Sequence, residues 1–290
     1  MKKMACDSRF VIGIIVAALL CFLALFGRAL CPNNPLIVDF YNTLLSPGGD
    51  FPLGTDNLGR CIFSRLLAGT GVTLGSALIV ETVILTLGLT IGVTAGYFGG
   101  AADTAGLILT DTMLAFPSII LALVVAGFLG PGLRNLMIAM CAVHWVGHAR
   151  IARSLTRVVK EKTFIAASRA VGSSHIKIIF RRILPHILPQ MLVYSTLDIS
   201  SVLISISSMS FIGLGVQPPQ PEWGMMLNEA RAYINTNPSA LIAAIVCILL
   251  AVMGFQLVGE ALRDALDVRA SHLGLEKRSY ARREANAGGL

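Results

Sequence analysis

The stretch TFIAASRAVGSSHIKIIFRRILP, residues 163–185, decides the fold because it places a basic segment with defined local structure between two apolar stretches. Residues 164–171 have Phe, Ala and Val at helical spacing, which predicts a short amphipathic helix. Gly172 follows where a helix commonly ends in the left-handed conformation, and Ser174 is a suitable N-cap for a second helix. The stretch, which we call the elbow, therefore predicts a short helix, a glycine turn and a helix that rises through Pro185.

Outside the elbow, the chain is too apolar for a water-soluble protein. Hydrophobic residues make up 55% of its 290 residues and charged residues 13%, whereas a soluble domain has roughly 45 to 50% and 25%. A helix crosses a bilayer with about 17 to 25 apolar residues. Stretches of about this length occur at 11–27, 74–97, 104–129, 133–149, 190–214 and 239–259. The sequence thus predicts an all-α integral membrane protein with six transmembrane helices.

The basic residues predict the orientation of these helices, because Lys and Arg accumulate in short cytoplasmic segments. With the N-terminus inside, the cytoplasmic segments hold 18 of the 23 Lys and Arg residues. These segments are 1–10, 98–103, 150–189 and 260–290. We therefore expect both termini in the cytoplasm. Topology and contact with lipid phosphate account for the net charge of +7 without a nucleic-acid partner.

Three parts follow along the chain. Residues 1–72 are predicted to form an N-terminal tail, the first transmembrane helix and an external loop. Residues 73–267 form the main transmembrane domain, with a cytoplasmic loop at 150–189. We expect residues 268–290 to be a disordered cytoplasmic tail.

Glycines recur every fourth residue at Gly88, Gly92 and Gly96 and leave a flat stripe on one helix face. We expect this stripe to pack within the subunit, with pairing to another subunit as the alternative. Two outer cysteines, Cys31 and Cys61, either form a disulfide or stay unpaired.

A second external segment, 222–234, has Leu227, Ala230 and Ile234 at helical spacing. This pattern predicts an amphipathic helix lying at the outer surface. Contact with a soluble protein and anchoring at the membrane interface are both open readings of it.

The elbow resembles the docking loop of inner-membrane permeases of ATP-binding-cassette importers. In those permeases Glu-Ala-Ala precedes a Gly, and Leu-Pro follows this Gly by thirteen residues. Here Ala166-Ala167-Ser168-Arg169 precedes Gly172, and Leu184-Pro185 closes the motif. Ala166 replaces the Glu, a loss that the peptide and nickel branch tolerates. The resemblance implies ATPase coupling by Phe164, Ala166, Ala167, Ser168, Arg169, Gly172, Leu184 and Pro185.

Further motifs are similar to the dipeptide, oligopeptide and nickel branch of these permeases. They include residues 54–60, the run from Ser210 to Gly215 and the later Glu222-Trp223-Gly224. Ser64-Arg65-Leu66 and His144-Trp145 look closest to the nickel-type C subunit. The resemblance implies a type I ABC importer permease fold and half of a translocation path for nickel or a metal chelate. A dipeptide or oligopeptide permease is the alternative.

The same resemblance implies the partners of the chain in a prokaryotic inner membrane. They are a homologous permease, forming a heterodimer, two ATPase subunits, an extracytoplasmic binding protein and membrane lipid. The chain has no GxxxxGK[ST] phosphate loop. It is therefore expected to be no enzyme and to bind no cofactor, with ATP and Mg held by the partner ATPases. An ion-gradient-driven secondary transporter is the alternative of another class, against which the elbow argues.

Ionisable residues inside apolar stretches are candidates for the translocation path, because an Asp at mid-helix costs about 2.5 to 3.5 kcal/mol. Asp198 and Glu81 are the carboxylates predicted there, with a structural polar contact as the alternative for each. His144 and His148 lie one helical turn apart, a spacing that suits a shared metal. We favour His144, because His148 is expected at the cytoplasmic surface. Met209 offers a soft thioether or fills a packing gap. No metal site is assigned.

Overall fold

The computed structural model describes the backbone of residues 8–287 and the side chains of residues 11–266. Regular structure in the described backbone is helical, apart from isolated bridges in the loop before residue 62. The helices are α1 (Ser8–Phe26), α2 (Ile62–Phe98), α3 (Gly100–Leu114), α4 (Ser118–Leu129), α5 (Leu133–Lys160), α6 (Thr163–Ala170), α7 (His175–Ile178), α8 (Leu184–Phe211), α9 (Trp223–Ala230) and α10 (Ser239–Ala287). A π-helical turn, Ile179–Ile183, joins α7 to α8.

Three helices of the described part are long and apolar enough to cross a membrane. They are α2, the continuous run His175–Phe211 and the Ser239–Leu266 part of α10. A fourth candidate is the pair α3 and α4, which meet at a bend of 85°. Pro117 lies in this bend, where the sequence invites a kink, because Pro restricts the residue before it.

The remaining two predicted spans fall on α1 and α5. The apolar part of α1, Val11–Phe26, is shorter than the three long helices. The last three turns of α5 are basic, with Arg150, Arg153, Arg157 and Lys160, so α5 combines an apolar half with a basic half. The total of six spanning helices stays a prediction.

The glycine stripe of α2 packs against α5 within the subunit, which confirms the favoured reading. A Cβ atom at Gly88 would overlap the Cβ of His148, and one at Gly92 would overlap the carbonyl oxygen of Ala149. The two backbones are therefore closer than any larger residue permits. The main apolar core surrounds this contact and includes buried residues of α2, α5, α8, α9 and α10.

The external loop is held to the bundle by buried ion pairs. Arg60 and Arg65 are each 1% exposed. Arg60 Nε lies 2.7 Å from an Asp56 oxygen, and Glu229 lies 3.0 Å from Arg60 Nη2 and 2.7 Å from Arg65 Nη2. Two positive and two negative side chains thus join the loop, the start of α2 and the end of α9. Removing one member would leave a buried charge uncompensated.

The external helix α9 lies in the core rather than on the outer surface, so that prediction was wrong. Its N-cap Glu222 accepts hydrogen bonds from the backbone N–H groups of Gly224 and Met225 at 2.8 and 2.9 Å. Burial raises the pKa of Glu222, while these two backbone hydrogen bonds lower it. The indole of Trp223 donates to the Leu66 carbonyl at 3.2 Å.

These contacts fix the rotation of α9 about its axis. Trp223, Met226 and Ala230 are buried, whereas Ile234 is 47% exposed and lies beyond the helix. The sequence pattern identified the helix but assigned the wrong face, because the capping carboxylate and the indole are held by distant residues.

Cys31 and Cys61 are free thiols, so of the two readings the unpaired one is seen. The thiol of Cys31 donates to the carbonyl oxygens of Gly27 and Ser64, both at 3.3 Å. Burial raises the pKa of Cys31, and the nearby Cys61 raises it further. At the other end of the chain, where the sequence predicts a disordered tail, the described backbone continues as α10 to Ala287, while side chains after residue 266 lie outside the described residues.

We expect Gly92→Ala to destabilise the helical bundle, because the added methyl group overlaps the backbone of α5. Overpacking of this kind costs roughly 1 to 3 kcal/mol. The matched control is Gly75→Ala on the same helix, where an added Cβ meets no atom within 4 Å. Thermal unfolding in detergent should show a lower midpoint for the first variant alone. Equal midpoints would contradict the close approach of α2 and α5.

Candidate functional site

The elbow has the local structure that its sequence predicts. Helix α6 covers Thr163–Ala170, and Gly172 follows with φ of +76°, a left-handed conformation that favours glycine. Ser174 caps α7 by accepting a hydrogen bond from the Lys177 N–H. Pro185 stands in the first turn of α8, where a missing N–H costs little. Residues 175–211 therefore form one continuous rod from the elbow into the bundle.

Isoleucines fix the inner side of the elbow to the ends of the long helices. Ile165 of α6 and Ile178 of α7 are at most 1% exposed. They belong to a second apolar core, separate from the main one, that also contains Val93, Tyr97, Val159, Ile183 and Ile187. The elbow is therefore packed directly against the end of α2, the end of α5 and the start of α8.

Aromatic and polar contacts reinforce this attachment. The Tyr97 hydroxyl lies 2.9 Å from Nδ1 of His175, and the Arg169 guanidinium lies 5.5 Å from the centre of the Tyr97 ring. The ring of Phe164 stacks on that of His186 at 4.8 Å. Tyr97, the penultimate residue of α2, thus touches both arms of the elbow.

The outer side of the elbow is exposed and partly apolar. Of the predicted coupling residues, Ala166, Ala167, Arg169, Gly172 and Pro185 are exposed, whereas Phe164, Ser168 and Leu184 are half-buried. Three residues outside that set are the most exposed apolar ones: Val171 at 85%, Ile176 at 71% and Phe180 at 65%. The sequence could have indicated these three residues, because they are apolar side chains in an otherwise basic segment. Such a patch is typical of an interaction surface.

A second candidate site lies inside the bundle, where three helices meet. Glu81 of α2 lies 2.9 Å from Nε2 of His148 on α5, and Ser195 Oγ of α8 lies 3.1 Å from the same nitrogen. Asp198, one turn further along α8, has an oxygen 4.0 Å from His148 Nδ1. We call Glu81, His148, Ser195 and Asp198 the bundle cluster.

The expected surface position of His148 is wrong, whereas the role predicted for His144 stays a prediction. His148 is fully buried in the bundle cluster and does not lie at the cytoplasmic surface. Helix α5 continues to Lys160, so it ends three turns later than the apolar pattern suggested. His144 lies one turn away and supplies no atom to the hydrogen bonds of the cluster. Met209 is buried in the main apolar core.

Comparison with known proteins gives the family. Residues 88–272, more than half of the chain, match the family described as "Binding-protein-dependent transport system inner membrane component". The chain belongs to this family. Its members are transport permease subunits rather than catalytic ones. The matched segment contains the elbow, His148 and Asp198.

Two relatives from Escherichia coli cover most of the permease. The nickel transport system permease protein NikC of strain K12 is 42% identical over 256 residues, or 88% of this chain and 92% of that protein. The glutathione transport system permease protein GsiD of strain O1:K1 / APEC is 40% identical over 250 residues, 86% of this chain and 82% of that protein. The chain is thus an ABC importer permease of the nickel, glutathione and peptide family.

A solved structure agrees on the fold. An inward-facing conformation of the MetNI methionine ABC transporter superposes with a TM-score of 0.54 at 19% identity, covering 69% of this chain and 95% of that chain. Together with the family, this likeness supports a type I ABC permease fold.

We expect Tyr97→Phe to loosen the elbow, because the substitution removes the hydroxyl that contacts His175 and keeps the ring that packs under Arg169. A hydrogen bond of this kind contributes about 1 kcal/mol, or about fivefold in a local opening equilibrium. Amide hydrogen exchange should therefore rise about fivefold at residues 163–178.

Tyr41→Phe is the matched control, since Tyr41 is fully exposed in the external loop. Amide hydrogen exchange at the elbow of the Tyr41→Phe variant should equal that of the wild type. Unchanged exchange in Tyr97→Phe would show that the apolar core alone holds the elbow.

Proposed function

We propose that this chain forms half of the translocation path for nickel or a metal chelate in an importer driven by separate ATPase subunits. The observation that carries the proposal is the elbow, an exposed apolar surface on a segment clamped to the long helices. The 42% identity to a nickel transport permease supports the choice of substrate. The two external stretches that resemble the nickel and peptide branch support it as well.

The elbow is suited to transmit a push from a cytoplasmic ATPase. ATP and Mg would be bound by the two ATPase subunits, since this sequence contains no GxxxxGK[ST] phosphate loop. Val171, Ile176 and Phe180 would be covered by an ATPase, together with the exposed Ala166, Ala167 and Arg169. Closure of the ATPases would then displace α6 and the rod 175–211 and switch the bundle between two access states.

The proposed assembly contains a second, homologous permease and an extracytoplasmic binding protein. Both termini and the elbow would lie in the cytoplasm, in agreement with the distribution of Lys and Arg. The outer cap formed by residues 31–61 and the end of α9 would face the binding protein. Ion pairs keep this cap rigid, which favours docking of a preformed surface.

The proposed path passes the bundle cluster. Asp198 is its most accessible member, with a side chain 20% exposed, whereas Glu81 is 5% exposed. Both are proposed as path residues, since ionisable groups inside a membrane usually face the bundle interior. His144 and Met209 stay in the proposal as neighbours of the path, with less support because each lies outside the cluster.

A peptide such as glutathione is the second candidate substrate. The 40% identity to a glutathione transport permease is close to the identity to the nickel permease. Both substrates would use the same elbow and the same ATPases, so the two candidates differ only in what the binding protein delivers.

We expect Gly172→Pro to abolish ATP-dependent uptake without preventing membrane insertion. Pro cannot adopt a φ of +76° and lacks the N–H that Gly172 donates to the Arg169 carbonyl at 2.9 Å. Gly172→Asn is the matched control, because Asn tolerates the left-handed conformation and keeps the N–H. Uptake into vesicles with internal or external ATP would measure both variants.

Retained uptake in the Pro variant would contradict coupling through the elbow. Uptake that follows an ion gradient without ATP would indicate a secondary transporter instead.

The proposed substrate, nickel or a metal chelate, predicts which solute the importer takes up most rapidly. Vesicles that contain the full importer and its binding protein should accumulate radioactive nickel, alone or with a chelator, more rapidly than glutathione or a dipeptide. The reverse preference would favour the peptide alternative and leave the coupling mechanism intact.

A further inference from the structure

We propose that the bundle cluster binds one divalent first-row transition cation, with His148 Nδ1 and Asp198 as direct ligands. Glu81 would orient the imidazole from its opposite edge, through Nε2. The inference deepens the proposed function, on which its meaning for transport rests. The binding itself is tested without transport.

The close packing of α2 and α5 creates the cluster. The Cβ of His148 occupies the space that a side chain at Gly88 would need. The imidazole therefore lies against α2, with Nε2 close to both Ser195 and Glu81, the latter two helical turns from Gly88. Asp198 of α8 lies near the other ring nitrogen, Nδ1. Three separate helices, α2, α5 and α8, thus hold the side chains of the bundle cluster, and their packing makes the cluster rigid.

One tautomer of His148 suits metal binding. Glu81 and Ser195 lie 2.9 and 3.1 Å from Nε2, and in the tautomer that donates Nε2–H to Glu81 the lone pair of Nδ1 is free. A carboxylate that accepts from the second ring nitrogen is the arrangement typical of metal-binding histidines. Nδ1 is buried and has no hydrogen-bond partner among the described residues.

The free nitrogen faces Asp198 across a distance that suits an ion. Its 4.0 Å separation from the Asp198 oxygen is too long for a hydrogen bond. Two bonds of about 2.0 to 2.2 Å to one metal span up to roughly 4.2 Å. One ligand atom each from Glu81, His148 and Asp198 lies within 4.8 Å of the others. Two such bonds at a tetrahedral angle would place Nδ1 and the Asp198 oxygen roughly 3.4 Å apart, so these two atoms would move together by about 0.6 Å on binding the ion.

An ion pair between Glu81 and a protonated His148 explains the cluster less well. It leaves the second oxygen of Glu81 buried without a partner among the described residues. It also leaves the second carboxylate to be neutralised by a proton, because the imidazolium carries a single positive charge. A divalent cation with a neutral imidazole balances both carboxylates, and an uncompensated charge at this depth is costly.

The donor set indicates the class of ion. One imidazole nitrogen with carboxylate oxygens suits Ni²⁺, Co²⁺ or Zn²⁺ better than Mg²⁺ or Ca²⁺, which prefer oxygen alone. The partly exposed side chain of Asp198 gives the cluster an open side through which an ion can enter.

The test measures metal bound to the tag-free full chain in lipid nanodiscs. Equilibrium dialysis against Ni²⁺ or Co²⁺, followed by metal analysis, should give one bound ion per chain that excess Mg²⁺ does not displace. Asp198→Asn should weaken the affinity about tenfold or more, and His148→Gln should remove the bound ion. Glu81→Gln should also weaken it.

His186→Gln is the matched control, because His186 is exposed at the cytoplasmic end of α8 and tests binding by surface histidines. It should keep the affinity of the wild type. Binding that is unchanged in Asp198→Asn and His148→Gln, or absent from the wild type, would overturn the inference. If His148→Gln fails to fold, Asp198→Asn alone tests the metal site. Asp198 is the least buried member of the cluster, so we expect its substitution to disturb folding least.

The outcome is independent of the proposed substrate. Metal binding without nickel uptake would support the site and contradict the proposed function. Nickel uptake without metal binding by this chain would support the proposed function and contradict the metal site.

Discussion

The close contact between α2 and α5 is the constraint on which the rest of the structure depends. Glycines on α2 let the two backbones approach, and this approach places His148 against the face that carries Glu81. The same helix α2 ends at Tyr97, which holds both arms of the elbow, and begins near the ion pairs of the outer cap. One helix pair therefore aligns the outer cap, the bundle cluster and the elbow along a single axis.

Two groups of buried charges lie along this axis and differ in balance. The outer group joins two arginines to two carboxylates and is neutral as it stands. The bundle cluster has two carboxylates and one imidazole, so added protons or a bound cation must balance it. Desolvation makes such an imbalance costly. The balanced group is suited to a rigid cap, and the unbalanced one to a site that takes up a cation.

Local signals were enough to predict the elbow. A glycine after a short amphipathic helix, a serine N-cap and a proline in a first helical turn act over a few residues, so no distant contact is needed to interpret them.

The bundle cluster was predicted in part: Glu81 and Asp198 stood out as carboxylates in apolar stretches, whereas His148 was assigned to the surface. Helix α5 is longer than its apolar part, and hydropathy does not report where a helix that leaves the membrane ends. The buried face of α9 was missed because its orientation is set by Thr73 and Leu66, which lie about 150 residues away in sequence.

The sequence by itself determined a membrane protein, its family and the shape of the elbow, because composition, motif spacing and short-range capping are properties of the chain before it packs. Only the tertiary structure decided which histidine joins the carboxylates and which side chains of the elbow stay exposed. Those outcomes depend on how α2, α5 and α8 rotate about their axes when glycine permits close packing. A rotation of one residue, about 100°, would exchange His148 for a neighbour, and no local pattern in the sequence specifies it.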